Sequence, residues 1–136
     1  RFCEEYKKIE DKMQTKQAVI IVSHGSRNQE ATQQFNLLIE NVKKRKQDIR
    51  IEAAFFSLAS PSLVDVIKKV TEEGFTKVSI VPFFLIHGNH IAYDIPKLIE
   101  EEKKKYPDVT FTFGSTLCSA KHLESLVLDR IEEVSA

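Results

Sequence analysis

The stretch Ala18-Val19-Ile20-Ile21-Val22-Ser23-His24-Gly25-Ser26-Arg27 decides how this chain folds. Its unbroken apolar, β-branched run ends in small and polar turn residues. Such a run reads as a strand buried on both faces, because a strand with one wet face would alternate. Similar runs recur downstream at Ile49–Phe56, Val78–Phe84 and Val109–Phe113.

The intervals between these runs have the periodicity of helices. Ala31, Phe35, Leu38, Ile39 and Val42 form one apolar stripe, and Leu63, Val66, Ile67 and Val70 a second. Ile95, Leu98 and Ile99 form a third, and Leu123, Leu126, Val127, Ile131 and Val134 a fourth. Each repeats near i, i+3, i+4, the spacing of one helix face. Ser60-Pro61 offers an N-cap and first-turn pair, Gly74 a C-terminal stop, and Asp94 an N-cap for a helix with Pro96 in its first turn.

The implied order is βαβαβαβα, which belongs to an α/β fold with a parallel sheet covered on both faces. Right-handed crossovers leave few topologies, and the expected one is a single doubly wound domain with a four-stranded sheet in the order 2-1-3-4. Residues 17–136 make up this domain. Residues 1–16 read as an N-terminal helical extension, with Phe2, Tyr6, Ile9 and Met13 on one stripe among charges.

Composition narrows the class. At 136 residues there is room for one core, and 42% apolar with 29% charged residues is ordinary for a soluble protein. Twenty basic residues cancel twenty acidic ones, so the net basic field of a nucleic-acid binder is missing and no nucleic-acid partner is expected. Lys43–Lys46 is a basic run at a helix end, where cations suit the dipole. Cys3 and Cys118 have no C-x-x-C spacing, which points to a reducing compartment rather than a disulfide framework. No apolar run reaches the roughly 20 residues of a membrane span, and residues 1–16 lack a signal-peptide pattern. A cytoplasmic location without a membrane partner is therefore expected. The first residue is Arg1 rather than Met, so the sequence reads as a trimmed or processed form.

In the order 2-1-3-4, strands 1 and 3 are neighbours, and helices leave their carboxyl ends toward opposite faces. Open α/β sheets bind ligands in that crevice. The two loops meeting there carry the densest chemistry in the chain. One is His24-Gly25-Ser26-Arg27; the other is Leu85-Ile86-His87-Gly88-Asn89-His90. Adjacent strands lie about 4.8 Å apart, so side chains from both ends can share one ligand. Neutral imidazole suits divalent iron, cobalt, nickel and zinc, and also accepts protons near neutral pH.

His24-Gly25-Ser26-Arg27, Pro82-Phe83-Phe84-Leu85-Ile86-His87-Gly88-Asn89-His90 and the following Asp94-Ile95-Pro96 together resemble the signature of the class II tetrapyrrole chelatases. The likeness is to the small single-domain sirohydrochlorin chelatases of the cobalt, iron and nickel pathways. It extends over residues 17–134 and includes the Ala59-Ser60-Pro61-Ser62-Leu63 turn. The resemblance implies an enzyme (a lyase) inserting Co2+, Fe2+ or Ni2+ as its substrate into sirohydrochlorin or a close relative, with no organic cofactor. It implies that His24 and His90 hold the metal and carry catalysis, and it makes the protein a homodimer. Ser26, Arg27, Ser57, Leu85, Ile86, Gly88 and Asn89 are the corresponding substrate-binding candidates. One departure stands out: Ser57 and Ser60 occupy positions usually acidic in the family.

Simpler readings exist for each residue. Taken alone, His24 would cap a helix or bond a turn, and so would His90; the matched motifs favour the ligand role. His87 reads as structural or rim-forming, His122 as solvent-facing, Cys118 as a small loop residue, and Phe83 and Phe84 as core or crevice wall. Three rival functions follow: a non-catalytic metal or tetrapyrrole binder, a histidine phosphatase and an interaction domain. The phosphatase reading wants an arginine just before the histidine, where this chain has Ser23.

Overall fold

The structure is a computed structural model that describes residues 3–5, 16–86, 90–119 and 121–135, with backbone alone at 90–92 and 119. Its strands are β1 (Gln17–Ser23), β2 (Arg50–Phe55), β3 (Lys77–Pro82) and β4 (Thr110–Phe113). The helices are α1 (Gln29–Arg45), α2 (Leu63–Glu72), α3 (His90–Lys105) and α4 (Lys121–Ser135), with a 3-10 turn at Leu117–Ser119. All strand pairings are parallel, and the sheet order is β2-β1-β3-β4, as the sequence pattern requires.

Alternate residues of each strand feed two cores. On one face, Ala18, Ile20 and Val22 of β1 join Val78 and Ile80 of β3 and Phe111 of β4 beneath α2 and α3. On the other, Ile21, Ile51 and Phe55 meet Phe35 and Ile39 of α1, and Phe35 stacks against Phe55 and Phe83 at 5.4 and 5.2 Å. Each fully buried aliphatic contributes roughly 1.5–3 kcal/mol. Phe83 thus belongs to the α1 side, and the half-buried Phe84 packs against the other core.

The punctuation differs in two places. Ser62, not Ser60, caps α2, its Oγ accepting from Asp65 N at 3.1 Å. Ser60-Pro61 is a cis peptide in the turn before it, and Phe55 N donates to the Pro61 carbonyl at 2.9 Å. The cap position therefore falls after the proline. Likewise, α3 begins at His90, so Asp94 is not its N-cap and Pro96 lies inside the helix. A proline there forgoes one backbone bond, to the carbonyl four residues earlier, and the rest of the ladder continues. Gly74 ends α2 as expected, with φ +94° and Phe75 N closing on the Val70 carbonyl at 3.1 Å.

The fourth helix departs most from expectation. None of its residues is buried, and Leu126, Val127, Leu128 and Ile131 are each about half exposed or more. Its apolar stripe is where the sequence puts it, but the sheet face beside α1 is not covered by it. Of the N-terminal extension, Cys3, Glu4 and Glu5 are helical, while Phe2, Tyr6, Ile9 and Met13 lie outside the described residues. No helix among the described residues is long and apolar enough to cross a membrane.

Candidate functional site

Three loops converge where β1, β2 and β3 end. Register pairs Ser23 with Phe55 on one side of β1, and Val22 with Pro82 on the other. The ladders continue past the strands: Phe56 N donates to Ser23 O at 2.8 Å, Ser57 N to His24 O at 2.9 Å, and Phe83 N to Val22 O at 2.7 Å. The backbone on both sides of His24 is therefore pinned, while its side chain stands exposed at the carboxyl edge of the sheet. A held backbone with an open imidazole suits a ligand-binding residue.

Gly25 makes this latch possible. Its φ is +93°, and a Cβ added there would lie 1.8 Å from the Ser57 carbonyl oxygen, 3.0 Å from that carbonyl carbon and 3.3 Å from Ala59 N. All three are backbone atoms, so no side chain can swing away. The loop it contacts is itself bent tightly. Ala59 N donates to Ser57 O at 2.7 Å, and between them Leu58 sits at φ +60°. Leucine in the left-handed region costs on the order of 1–2 kcal/mol. No residue type in the sequence announces that strain, since the turn is built by its neighbours. The half-buried Ser57 is brought beside His24 through the backbone bond.

After Arg27 the chain caps its own helix. Asn28 Oδ1 accepts from Glu30 N at 3.0 Å, and Ser26 Oγ accepts from Asn28 N at 3.0 Å. His24 is therefore not the cap of α1. A hollow of about 360 Å3 opens beside this turn, lined by Ser26, Arg27, Gln29, Thr32, Gln33, Leu58 and Ala59. Sequence reasoning selected Ser26 and Arg27. It missed Gln29 and Gln33, whose i, i+4 spacing puts both on one helix face but reads equally as solvated surface.

Leu85 and Ile86 follow β3 and are exposed at 57% and 69%, available as an apolar wall. His90 is the first residue of α3; its side chain, and all of His87, Gly88 and Asn89, lie outside the described residues. The structure thus brings His24, Ser26, Arg27, Ser57, Leu85 and Ile86 to one end of the sheet. Ser60 is exposed in the same turn region, and His122 is exposed on α4. Among the described residues no group of three or more His, Cys, Asp or Glu is arranged to hold a metal. A second hollow, about 500 Å3, lies between the 3-10 turn and α4, lined by Cys118, Leu123, Glu124, Val127 and Leu128. Its apolar walls carry none of the loop chemistry.

The CbiX family profile matches residues 18–134. A sirohydrochlorin ferrochelatase of Priestia megaterium is 31% identical over 96% of this chain and 49% of its own length. A sirohydrochlorin cobaltochelatase of Methanopyrus kandleri is 37% identical over 85% of this chain and 95% of its own. The chain thus spans about half of the first relative and nearly all of the second. Among solved structures, SirB from Bacillus subtilis with Fe3+ superposes with a TM-score of 0.81 at 26% identity, covering 88% of this chain and 48% of that one.

Proposed function

The chain belongs to the CbiX family, and from that premise we propose that it is a chelatase inserting a divalent metal into sirohydrochlorin or a closely related tetrapyrrole. The observation that carries the proposal is the backbone-pinned, solvent-open His24 at the end of β1, adjacent to the strand whose loop leads to His90. The similarity to proteins named sirohydrochlorin ferrochelatase and cobaltochelatase supports iron or cobalt as the metal. Nickel, equally compatible with imidazole, completes the set of candidate substrates.

Metal insertion requires the ion to exchange water for ring nitrogens while two pyrrole N–H protons leave. His24 and His90 bind the ion in place of water, and as the ring nitrogens take it over they accept the released protons. Each neutral imidazole can take one proton, which balances the two that leave the macrocycle. Leu85 and Ile86 supply apolar contact to the flat ring. Ser26, Arg27, Ser57, Gly88 and Asn89 supply polar contact at its edge. No organic cofactor takes part, and the setting is the cytoplasm.

A second copy of the chain is the protein partner in this reading. One α/β half offers only part of the wall that a broad ligand needs, since small-molecule sites usually bury most of their ligand. The exposed apolar stripe of α4 supplies area that a two-fold interface would cover. Light scattering at micromolar concentration should give twice the chain mass; a monomer that still metallates the ring would remove the pairing alone.

The alternative is a non-catalytic metal or tetrapyrrole binder, favoured by serine at positions 57 and 60. An anaerobic absorbance assay separates the two. Sirohydrochlorin with Fe2+, Co2+ or Ni2+ should be metallated faster with protein than without it. Binding without acceleration would establish the alternative.

A further inference from the structure

We propose that the hollow beside α1 is a subsite for a peripheral carboxylate of the macrocycle, with Arg27 as its cation and the amides of Gln29 and Gln33 as its neutral donors. This rests on the chelatase reading and adds to it the means by which the protein recognises the acidic rim of the ring.

The lining of the hollow has one formal charge. Arg27 contributes it, no acidic side chain joins it, and Gln29 and Gln33 add amide groups from successive turns of α1. Among the described residues Arg27 has no carboxylate partner, a state it shares with Lys44, Arg45, Lys68, Lys77, Lys97, Lys104 and Lys121, so its guanidinium is open to an incoming anion. At the start of α1, Asn28 Oδ1 takes the N–H of Glu30 and Ser26 Oγ takes the N–H of the cap residue Asn28 itself, so the side chains of Arg27, Gln29 and Gln33 are the groups assigned to hold the anion. Ser26 Oγ accepts from Asn28 N, which leaves the hydroxyl proton to be donated.

Geometry connects this hollow to the metal site. Arg27 is three residues from His24, so their Cα atoms are at most about 11 Å apart. A ring centred near His24 can therefore reach the hollow with its rim. Leu58, half exposed and held at φ +60°, forms the apolar wall facing the amides. A guanidinium fork engages a carboxylate with two parallel hydrogen bonds. Covering it with the ring lowers the local dielectric and strengthens the pair.

The test is equilibrium binding of metal-free sirohydrochlorin, followed by fluorescence, alongside its fully methyl-esterified form. Wild type should bind the acid more tightly than the ester. Arg27→Ala should weaken the acid by about tenfold and leave the ester unchanged. Gln33→Glu, which introduces an anion into the same hollow, should weaken the acid further while sparing the ester. Cobalt binding without macrocycle should be the same in wild type and both variants. If inorganic phosphate competes at millimolar concentration in wild type but not in Arg27→Ala, while the acid and ester bind alike, the hollow is a free-anion site and the proposal fails. Equal binding of the acid by wild type and Arg27→Ala, with wild-type metallation intact, overturns the subsite and spares the chelatase reading. A wild-type protein that neither binds nor metallates the ring overturns both.

Discussion

The two ends of the sheet are built on opposite rules. At the amino end of the strands, charges are spent on one another. Arg50 Nη1 meets Glu73 at 2.8 Å and its Nη2 meets Glu52 at 2.7 Å, and Lys69 adds a third contact to Glu52 at 3.5 Å. Lys16 and Arg50 both approach the ring of Phe75, 5.7 and 5.6 Å from its centre. Glu102, only 2% exposed, is met by Lys105 at 2.9 Å. At the carboxyl end, hydrogen bonds go instead into fixing the backbone, and His24, Arg27, Leu85 and Ile86 are left facing solvent. At one end charges neutralise one another; the other is a rigid frame whose side chains are kept for a ligand. Mutations at the two ends should therefore fail in different ways.

The largest expected effect is on chemistry alone. His24→Ala and His90→Ala should each reduce metallation by about a hundredfold or more, as expected when a group that both binds the ion and takes a proton is removed. For His24→Ala circular dichroism and melting should barely change, because its exposed imidazole adds little to the core. Wild-type rates in both variants would show that the site lies elsewhere.

Next comes the frame itself. Gly25→Ala forces a Cβ onto the Ser57 carbonyl and holds alanine at positive φ. It should cost about 3 kcal/mol of stability, measured by urea unfolding. A loss below roughly 0.5 kcal/mol would mean that the two loops are not latched.

The amino end predicts a smaller effect that depends on pH. Burial pushes the Glu52 carboxyl up, but the Arg50 hydrogen bond and the nearby Lys69 and Arg50 charges outweigh it and hold Glu52 below its ordinary value of 4.5. A carboxyl lowered in the folded state stabilises above its unfolded value, and that stability is lost as pH falls through the folded one. Glu52→Gln should therefore cost about 1 kcal/mol at pH 7, a modest figure because the partners are partly in solvent. The gap from wild type should shrink below the usual carboxylate range, as urea unfolding at pH 7 and pH 3 would reveal. Metallation by folded Glu52→Gln should be unaltered, in contrast to the histidine variants.

The smallest effect is a gain. Ser57→Glu returns a carboxylate beside His24 and should tighten cobalt binding a few-fold, since an anion near the site favours the dication. Weaker binding by a folded Ser57→Glu protein would show that the crevice has been reshaped around serine.

Much of this contrast could be read from the sequence, and the parts that could not share a cause. β1 to β4 and the stripes of α1 and α2 are legible because burial on both faces imposes long apolar runs and a 3.6-residue period. The crevice follows from topology, since a 2-1-3-4 order makes β1 and β3 neighbours whatever their side chains. Ser62 as the cap of α2, Pro96 inside α3 and the positive φ of Leu58 are set by how loops pack together, which no local pattern encodes. The α4 stripe shows a further limit: periodicity reveals that a helix has an apolar face, but not what covers it. At the site, His24 and Arg27 stand out by type, whereas Gln29 and Gln33 matter only through the hollow they border.

The account stands most directly on metal binding by the two histidines at the carboxyl end. Anaerobic cobalt titration, followed through the visible absorption of the ion, should reveal a site in wild type that is lost in His24→Ala and again in His90→Ala. Arg27→Ala and Glu52→Gln should retain it. Undiminished cobalt binding in both histidine variants would contradict the account, whatever their effect on the macrocycle.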